Sequence, residues 1–293
     1  MKWHGDIRPR FRADHEVTAR YLRDSRSCER LEAHYILETR LAHRLAQASQ
    51  AVRHRVYGEV YRELFESITD HPQRTRNRVK DMKRVSREVA RLGPHLNSQF
   101  VCLEIGCGDG AASFAVAARV MTSIGLDVND SLVDMTAAPP NFRFLKSDGI
   151  RIDLADASVD FVHSNNLMEH IHPEDAELQL REISRVLKPS GKYHCVTPSR
   201  VTGPHDISVY FDYQASGFHL REYDYGSLRA LLMAAGFSKV AFDVGDRREQ
   251  VVPYFILRAM ELGLYTLPRS VRARLGRQDR VINLAGLKAL ATK

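Results

Sequence analysis

The sequence predicts an α/β protein, a doubly wound parallel sheet with helices on both faces, preceded by a helical segment. Three features of the 293-residue chain carry that expectation. From Phe100 onward, short apolar runs alternate with helix-forming stretches, the pattern of strands joined by crossover helices. The first run, "VCLEIGCGDGAAS" at 101–113, breaks into glycines at 106, 108 and 110 and then becomes helix-forming. Upstream, apolar residues recur at spacings of three and four, which marks helix rather than strand.

The upstream segment, residues 1–97, reads as helical throughout. Leu37, Leu41, Leu45, Ala48, Val52, Val56, Val60 and Leu64 fall on one stripe, so a single long helix is expected from about 26 to 67. "SITDHPQ" ends it, because Pro72 disfavours helical geometry at His71. A shorter helix is expected over about 79–92, with Val79, Met82, Val85, Val89 and Leu92 inward and "GP" as its stop. The long stripe exceeds what a sheet edge covers. The 79–92 helix, a helix at 253–267 or a second subunit is expected to pack on it, so a homodimer through these helices is among the expectations.

The second segment, residues 98–293, holds the sheet. Strands are expected at 101–106, 123–128, 142–148, 159–165 and 192–197, with helices at about 110–120, 130–137 and 174–187. A long polar and aromatic loop (198–224) precedes a helix at 226–236 and the strand "SKVAFDVG". A helical insertion is expected over about 250–278, and "VINLAGLKALATK" supplies a last strand at about 281–292.

With 44% hydrophobic residues and no low-complexity tract, the chain reads as globular. No window approaches the roughly 18 uninterrupted apolar residues of a membrane span. The first residues carry no apolar stretch after their charges, so a cytoplasmic protein is expected. Cys28, Cys102, Cys107 and Cys195 form no CxxC pair, and two of them fall in the first strand and its turn, so all four are read as reduced. The net charge of +7 is uneven, +8 over residues 1–97, −8 over 98–246 and +7 over 247–293. Basic flanks attract anionic partners, but solvated helix faces give the same pattern, and nucleic acid is not required by it.

Gly106, Gly108 and Gly110, between a strand and a helix beginning near Ala111, let backbone approach a ligand closely and aim helix N–H groups at it. A dinucleotide suits the run as well, and Asp127, 21 residues after Gly106, suits a ribose in either case. Charge separates the two readings. Glu104 and Asp109 would repel a pyrophosphate in a confined site, whereas a cofactor bearing an ammonium and a sulfonium meets them favourably.

Over roughly residues 100–245 the chain resembles the class I S-adenosylmethionine-dependent methyltransferases. "LEIGCGDG" is similar to the family's first motif, "IGLDVND" to its second and "FRFLKSDG" to its third. "VDFVHSNNLMEHI" is similar to the fourth, and "LREISRVLKPSGKYHCVTPS" to the helix, turn and fifth strand that follow. The resemblance implies a Rossmann-like, seven-stranded sheet whose antiparallel last strand inserts between the fifth and sixth, with S-adenosylmethionine across the carboxyl ends of the strands. It places Glu104, Gly106, Gly108, Asp127, Val128, Asp148, Gly149 and Asn165 at the cofactor, Asp127 toward the ribose and Asp148 near the adenine. "DHPQ" and "GPHDISVYFD…GFHLREY" resemble methyltransferases of sugar and polysaccharide biosynthesis.

Methyl transfer depends mainly on positioning, and a hydroxyl acceptor must also lose its proton. The loops after strands four and five hold His170 and His172, then His205, Asp206 and His219. His205 with Asp206 is the expected base, and His170 is the third catalytic candidate. Some relatives hold a divalent ion with a Glu-x-x-Glu-His run and a distant histidine. Here Asn166 stands at the first glutamate, leaving Glu169, His170 and His205, so the expected site has no metal and a divalent ion is the alternative. Tyr210, Phe211, Tyr213, Phe218, Tyr223 and Tyr225 could stack on a sugar or simply pack as a lid. The expected function is O-methylation of a sugar or glycan intermediate. A phenol or polyketide acceptor, a nucleic-acid acceptor, and a catalytically silent cofactor-binding partner protein are the alternatives.

Overall fold

The computed structural model describes residues 9–71, 78–130, 132–245, 250–278 and 286–293, and for 78–81 the backbone alone. The upstream segment forms α1 (His15–Leu22), α2 (Cys28–Gln47), α3 (Gln50–Ser67) and α4 (Arg78–Leu92). The single helix expected over 26–67 is therefore two. Ala48 and Ser49 leave helical geometry with extended ψ angles of 131° and 151°, and the chain reverses. The apolar stripe folds onto itself as a result: Leu41, Ala42 and Leu45 face Tyr57, Val60 and Leu64, and Phe218 from the later loop closes the cluster. Apolar burial at about 25 cal/mol per Å² favours this hairpin over one straight, half-covered helix. The stripe is thus covered within the chain, without the 79–92 helix or the 253–267 helix. Instead α4 packs Val89 and Leu92 against Cys102, Val116, Val120 and Phe161 on one face of the sheet.

A buried ion pair ties the hairpin to the sheet segment. Arg53 of α3, its side chain 3% exposed, bonds Asp175 at 2.5 Å and Glu174 at 2.8 Å. Both acids lie in the first turn of a helix over Pro173–Val186, where negative charge is favourable. Removing one partner of such a pair leaves a buried charge, which costs about 3–5 kcal/mol. Arg53→Ala should accordingly lower the urea midpoint by an amount equivalent to about 3 kcal/mol. A midpoint unchanged in a matched denaturation series would show that the pair holds nothing together.

The sheet contains β1 (Val101–Ile105), β2 (Thr122–Asp127), β3 (Phe142–Lys146), β4 (Val159–Asn165), β5 (Leu187–Thr197), β6 (Lys239–Asp243), β7 (Val251–Val252) and β8 (Leu287–Thr292). Their order is β3-β2-β1-β4-β5-β8-β6-β7. The first five pair in parallel, and β8 runs antiparallel between β5 and β6. The extra strand relative to the expected seven is the two-residue β7 at the edge. Leu287, Ala289 and Ala291 of β8 are fully buried, so the C-terminal apolar run is core. The beginning of that expected strand, 281–285, lies outside the described residues.

The remaining helices are α5 (Ala111–Ala117), α6 (Pro173–Val186), α7 (Tyr225–Ala234), α8 (Tyr254–Tyr265) and α9 (Arg269–Leu275). The helix expected at 130–137 is only a 3-10 turn at Met135–Ala137, among the described residues. Asp134 caps that turn through Thr136, and "AAPP" cannot extend it. α8 packs on α7 rather than on the N-terminal helices: the Tyr225 N–H donates to Glu261 Oε1 at 2.7 Å and the Tyr265 hydroxyl to Asp224 at 2.8 Å. Connections leave β1 toward β2 on one side while β4 lies on its other side, so the sheet opens a crevice at the carboxyl ends of β1 and β4.

Candidate functional site

The first half of the site is the glycine loop at the end of β1. Gly106 has φ +72°, and a Cβ there would lie 3.0 Å from Leu167 Cδ1, so both backbone angle and space require glycine. The Gly108 N–H donates to Asp127 Oδ2 at 2.8 Å and the Asn129 N–H to Oδ1 at 3.0 Å. Asp127 thereby fixes the loop, and the remaining lone pair on each oxygen can accept from a diol. Val128 packs on Gly149, whose φ is +93°. Asp148 is exposed and uses Oδ1 to hold the Ile150 and Arg151 N–H groups at 2.9 and 2.7 Å. Asp127 thus ties the glycine loop to the end of β2, and Asp148 caps its own turn beyond β3.

Glu104 and Asn165 join a buried polar network that the sequence did not reveal. Burial pushes the Glu104 carboxyl up to about 7, with a contribution from the nearby charge of Glu88. Ser113 Oγ donates to it. Glu88 of α4 receives His163 Nε2 at 2.6 Å and a hydrogen bond from Asn165. His163 is held above its ordinary range by Glu88 despite burial. α4, which packs on this face of the sheet, thus supplies a charge near Glu104 of the first glycine motif.

The second half lies past the ends of β4 and β5. Glu169, His170 and His219 each direct one ligand atom to a common point, all within 4.8 Å of one another. Glu169 Oε2 accepts from Thr197 Oγ1 at 2.9 Å, while its Oε1 is buried without a hydrogen-bond partner. Burial pushes this carboxyl up to about 7. His170 Nδ1 contacts the Phe218 carbonyl at 3.1 Å, so Nδ1 carries the proton and Nε2 the lone pair. Burial, helped by the charge of His219, lowers His170 to about 3. His219 Nδ1 donates to Glu222 Oε1 at 2.8 Å, and against the penalty of burial this pair raises His219 to about 9.

The expected His205–Asp206 pair does not form in this arrangement. Asp206 uses Oδ1 on the Ser208 N–H at 3.0 Å and Oδ2 on the Gly217 N–H at 2.8 Å, as a loop cap. His205 Nε2 lies 3.0 Å from the Ser199 carbonyl, and its backbone N–H donates to Glu222 Oε1 at 2.7 Å. A carboxylate flanked by unpaired N–H groups binds them in preference to a neighbouring ring that can turn to a carbonyl. In this loop the carboxylate that pairs with a histidine ring is Glu222, and the ring is that of His219. The three-residue spacing in "HLRE" was the available signal. His205 likewise falls outside the three-residue cluster, where His219 stands in the place expected for it.

The hairpin roofs this half. Glu38 of α2 accepts the Phe218 N–H at 2.9 Å, and Tyr61 of α3 stacks on Phe218 with ring centroids 4.7 Å apart. Burial lifts the Tyr61 hydroxyl well above its ordinary range, and Tyr57, Glu38, Glu169 and Asp127 add to the shift. Tyr61 thus sits 6.4 Å, ring to ring, from His170 and within electrostatic reach of Asp127. Of the loop aromatics, Tyr210, Phe218, Tyr223 and Tyr225 are buried, which is packing and not an open stacking platform.

Residues 103–195 match the methyltransferase domain family. Two Mycobacterium tuberculosis proteins named as S-adenosylmethionine-dependent methyltransferases are 33% identical over 152 residues, 52% of this chain and 53% of theirs. A Mycolicibacterium smegmatis protein of the same description is 34% identical over 136 residues, 46% of this chain and 51% of its own. Residues 103–195 thus form a methyltransferase domain similar to that of these S-adenosylmethionine-dependent relatives. S-adenosylmethionine is its cofactor. The match spans about half the length of these curated relatives. A chain from the solved complex of the Haloferax volcanii Trm112 methyltransferase activator with a methyltransferase has the same fold. The two share a TM-score of 0.50 at 18% identity, over 73% of this chain and 94% of that one. No described helix is long and apolar enough to cross a membrane.

Proposed function

We propose that the chain is a methyltransferase that moves the methyl group of S-adenosylmethionine to a hydroxyl acceptor. The convergence of Glu169, His170 and His219, in a segment whose Leu167 lies against Gly106, supports this reading. Glu169 is the proton acceptor: its Oε1 has no other partner and its carboxyl titrates at about 7, where a general base works best. His219, kept as imidazolium by Glu222, donates through Nε2 to the acceptor oxygen and stabilises the negative charge that grows as the proton leaves. S-adenosylmethionine, held by Asp127 and Glu104, would supply an electrophilic methyl group to this oxygen and leave as a neutral thioether. Tyr61 and Leu167 exclude water from the two sides of the cleft.

The same three side chains also suit a divalent ion. Each histidine is held through Nδ1, by the Phe218 carbonyl or by Glu222, which leaves Nε2 to face the common point, and Glu169 Oε1 is buried without a hydrogen-bond partner. Glu169, His170 and His219 would be the ligands, and a bound ion would lower the acceptor's pKa. Two imidazoles and one carboxylate favour zinc, iron or manganese over magnesium. EDTA treatment followed by turnover assay separates the routes, with full activity retained if Glu169 acts directly. The glycan acceptor rests on the resemblance of "DHPQ" and of the 198–224 loop, since the loop's aromatics are largely buried. Incubation with methyl-labelled S-adenosylmethionine and a panel of sugars, phenols and amines tests the acceptor. Label found only on amines would sink the hydroxyl reading.

Asp127 accepts the ribose hydroxyls and Glu104 the ammonium of the cofactor in this reading. Glu104 titrates at about 7, so it is half-protonated near neutrality until an ammonium arrives. Affinity for S-adenosylhomocysteine should rise about three- to tenfold from pH 6 to pH 8 as the carboxylate ionises, with proton release below pH 7. Calorimetry in buffers of different ionisation enthalpy reads both quantities. A flat profile would remove Glu104 from the ammonium site.

A further inference from the structure

We infer that α8 and α9 form a docking face for an anionic lipid surface. The outward side of α8 is one uncharged stripe: Phe255, Ile256, Ala259, Leu262 and Gly263 follow one another at helical spacing, and Leu267 is exposed just past its end. Phe255 is 72% exposed, Leu262 53% and Ile256 47%, and Val251 and Val271 extend the patch to either side at 55% and 40%. Contiguous exposure of this kind marks an interaction surface rather than ordinary surface scatter. Among the described residues nothing covers it, since α8 buries Leu257 and Glu261 against α7 on its other side.

Charge identifies the occupant. The only acid on either helix is Glu261, which is buried and paired with Arg258. Arg269 and Arg274 of α9 are exposed beside Val271, and Arg229 of α7 lies over the Tyr254 ring at 4.8 Å. Residues 247–293 together carry 10 basic and 3 acidic side chains. A second copy placed on the patch would bring these arginines against their own kind, a repulsion that a neutral apolar seam does not offset. An anionic membrane presents apolar depth for Phe255 and Leu262 and phosphate for the arginines, whose long stems can reach the headgroups from beside the stripe. At 12 residues, or ~18 Å, α8 lies in the plane of such a surface and does not span it.

The test is co-sedimentation of the full chain with vesicles of phosphatidylcholine alone or with about one-third phosphatidylglycerol, at about 0.1 and 0.5 M salt. The chain should partition to the anionic vesicles at low salt and leave them at high salt. Phe255→Glu with Leu262→Glu should lower the partition coefficient at least about tenfold, with circular dichroism and S-adenosylhomocysteine affinity unchanged. Arg269→Glu with Arg274→Glu should do the same through charge alone. Absence of binding to anionic vesicles, or binding that survives the Phe255/Leu262 double variant, overturns the inference. So does a dimer in light scattering that this variant dissociates, because the occupant is then a second copy.

Discussion

Glu169→Gln should lower turnover by about 10²-fold or more while leaving S-adenosylhomocysteine affinity within about twofold. The substitution keeps shape and the hydrogen bond from Thr197 but removes the group that takes the acceptor's proton. The pH dependence follows from the same groups. Glu169 must be ionised, so kcat/KM should rise through about 7, and His219 must be charged, so it should fall through about 9. In Glu169→Gln the acidic limb should vanish, and in Glu222→Gln the alkaline limb should move to lower pH because His219 loses the carboxylate that holds its proton. Wild-type and variant rates across pH 5–10 check this. An acidic limb that persists unchanged in Glu169→Gln would assign the proton to another group.

Asp127→Ala should weaken S-adenosylhomocysteine binding by about 10²-fold, near 2.7 kcal/mol. The carboxylate does two things at once, holding the Gly108 and Asn129 N–H groups and, in the proposed site, accepting the ribose diol. Hydrogen bonds to a charged group contribute about 1.5–3 kcal/mol each, so losing a subset of these accounts for the magnitude. Asp127→Asn, which keeps one acceptor, should fall between, at about tenfold. Calorimetry gives both values. An Asp127→Ala variant with unaltered affinity would mean that the loop holds its shape, and the cofactor its ribose, without this residue.

The strands and the cofactor loop were legible because their signals are local, whereas the place of the last strand in the sheet came from the family resemblance. Glycine spacing, period-two strands and an acidic residue after β2 are each fixed by a few consecutive residues, and Gly106 and Asp127 lie where those signals put them. The break at Ala48–Ser49 was not legible, since the stripe of apolar residues runs on unbroken through it and only the tertiary gain of folding back decides. The helix expected at 130–137 failed for the opposite reason. Its composition allowed a helix, but Asp134 could satisfy backbone groups locally and the prolines removed any continuation. His205 and Asp206 are adjacent in sequence but do not pair in space. Asp206 faces backbone N–H groups, whereas Glu222, three residues past His219 and opposite His205 in the loop, reaches both. Tyr61 and Glu88 could not be found from the chain at all, as their roles depend on where two upstream helices land on the sheet segment.

Calorimetric titration of the full chain with S-adenosylhomocysteine, and separately with NAD, is the decisive measurement, because every proposed step begins with an ammonium-bearing cofactor beside Glu104 and a ribose on Asp127. Saturable binding of S-adenosylhomocysteine with a dissociation constant in the micromolar range, about −8 kcal/mol, and no heat with NAD is the expected result. Binding of NAD in preference, with S-adenosylhomocysteine silent, would contradict it.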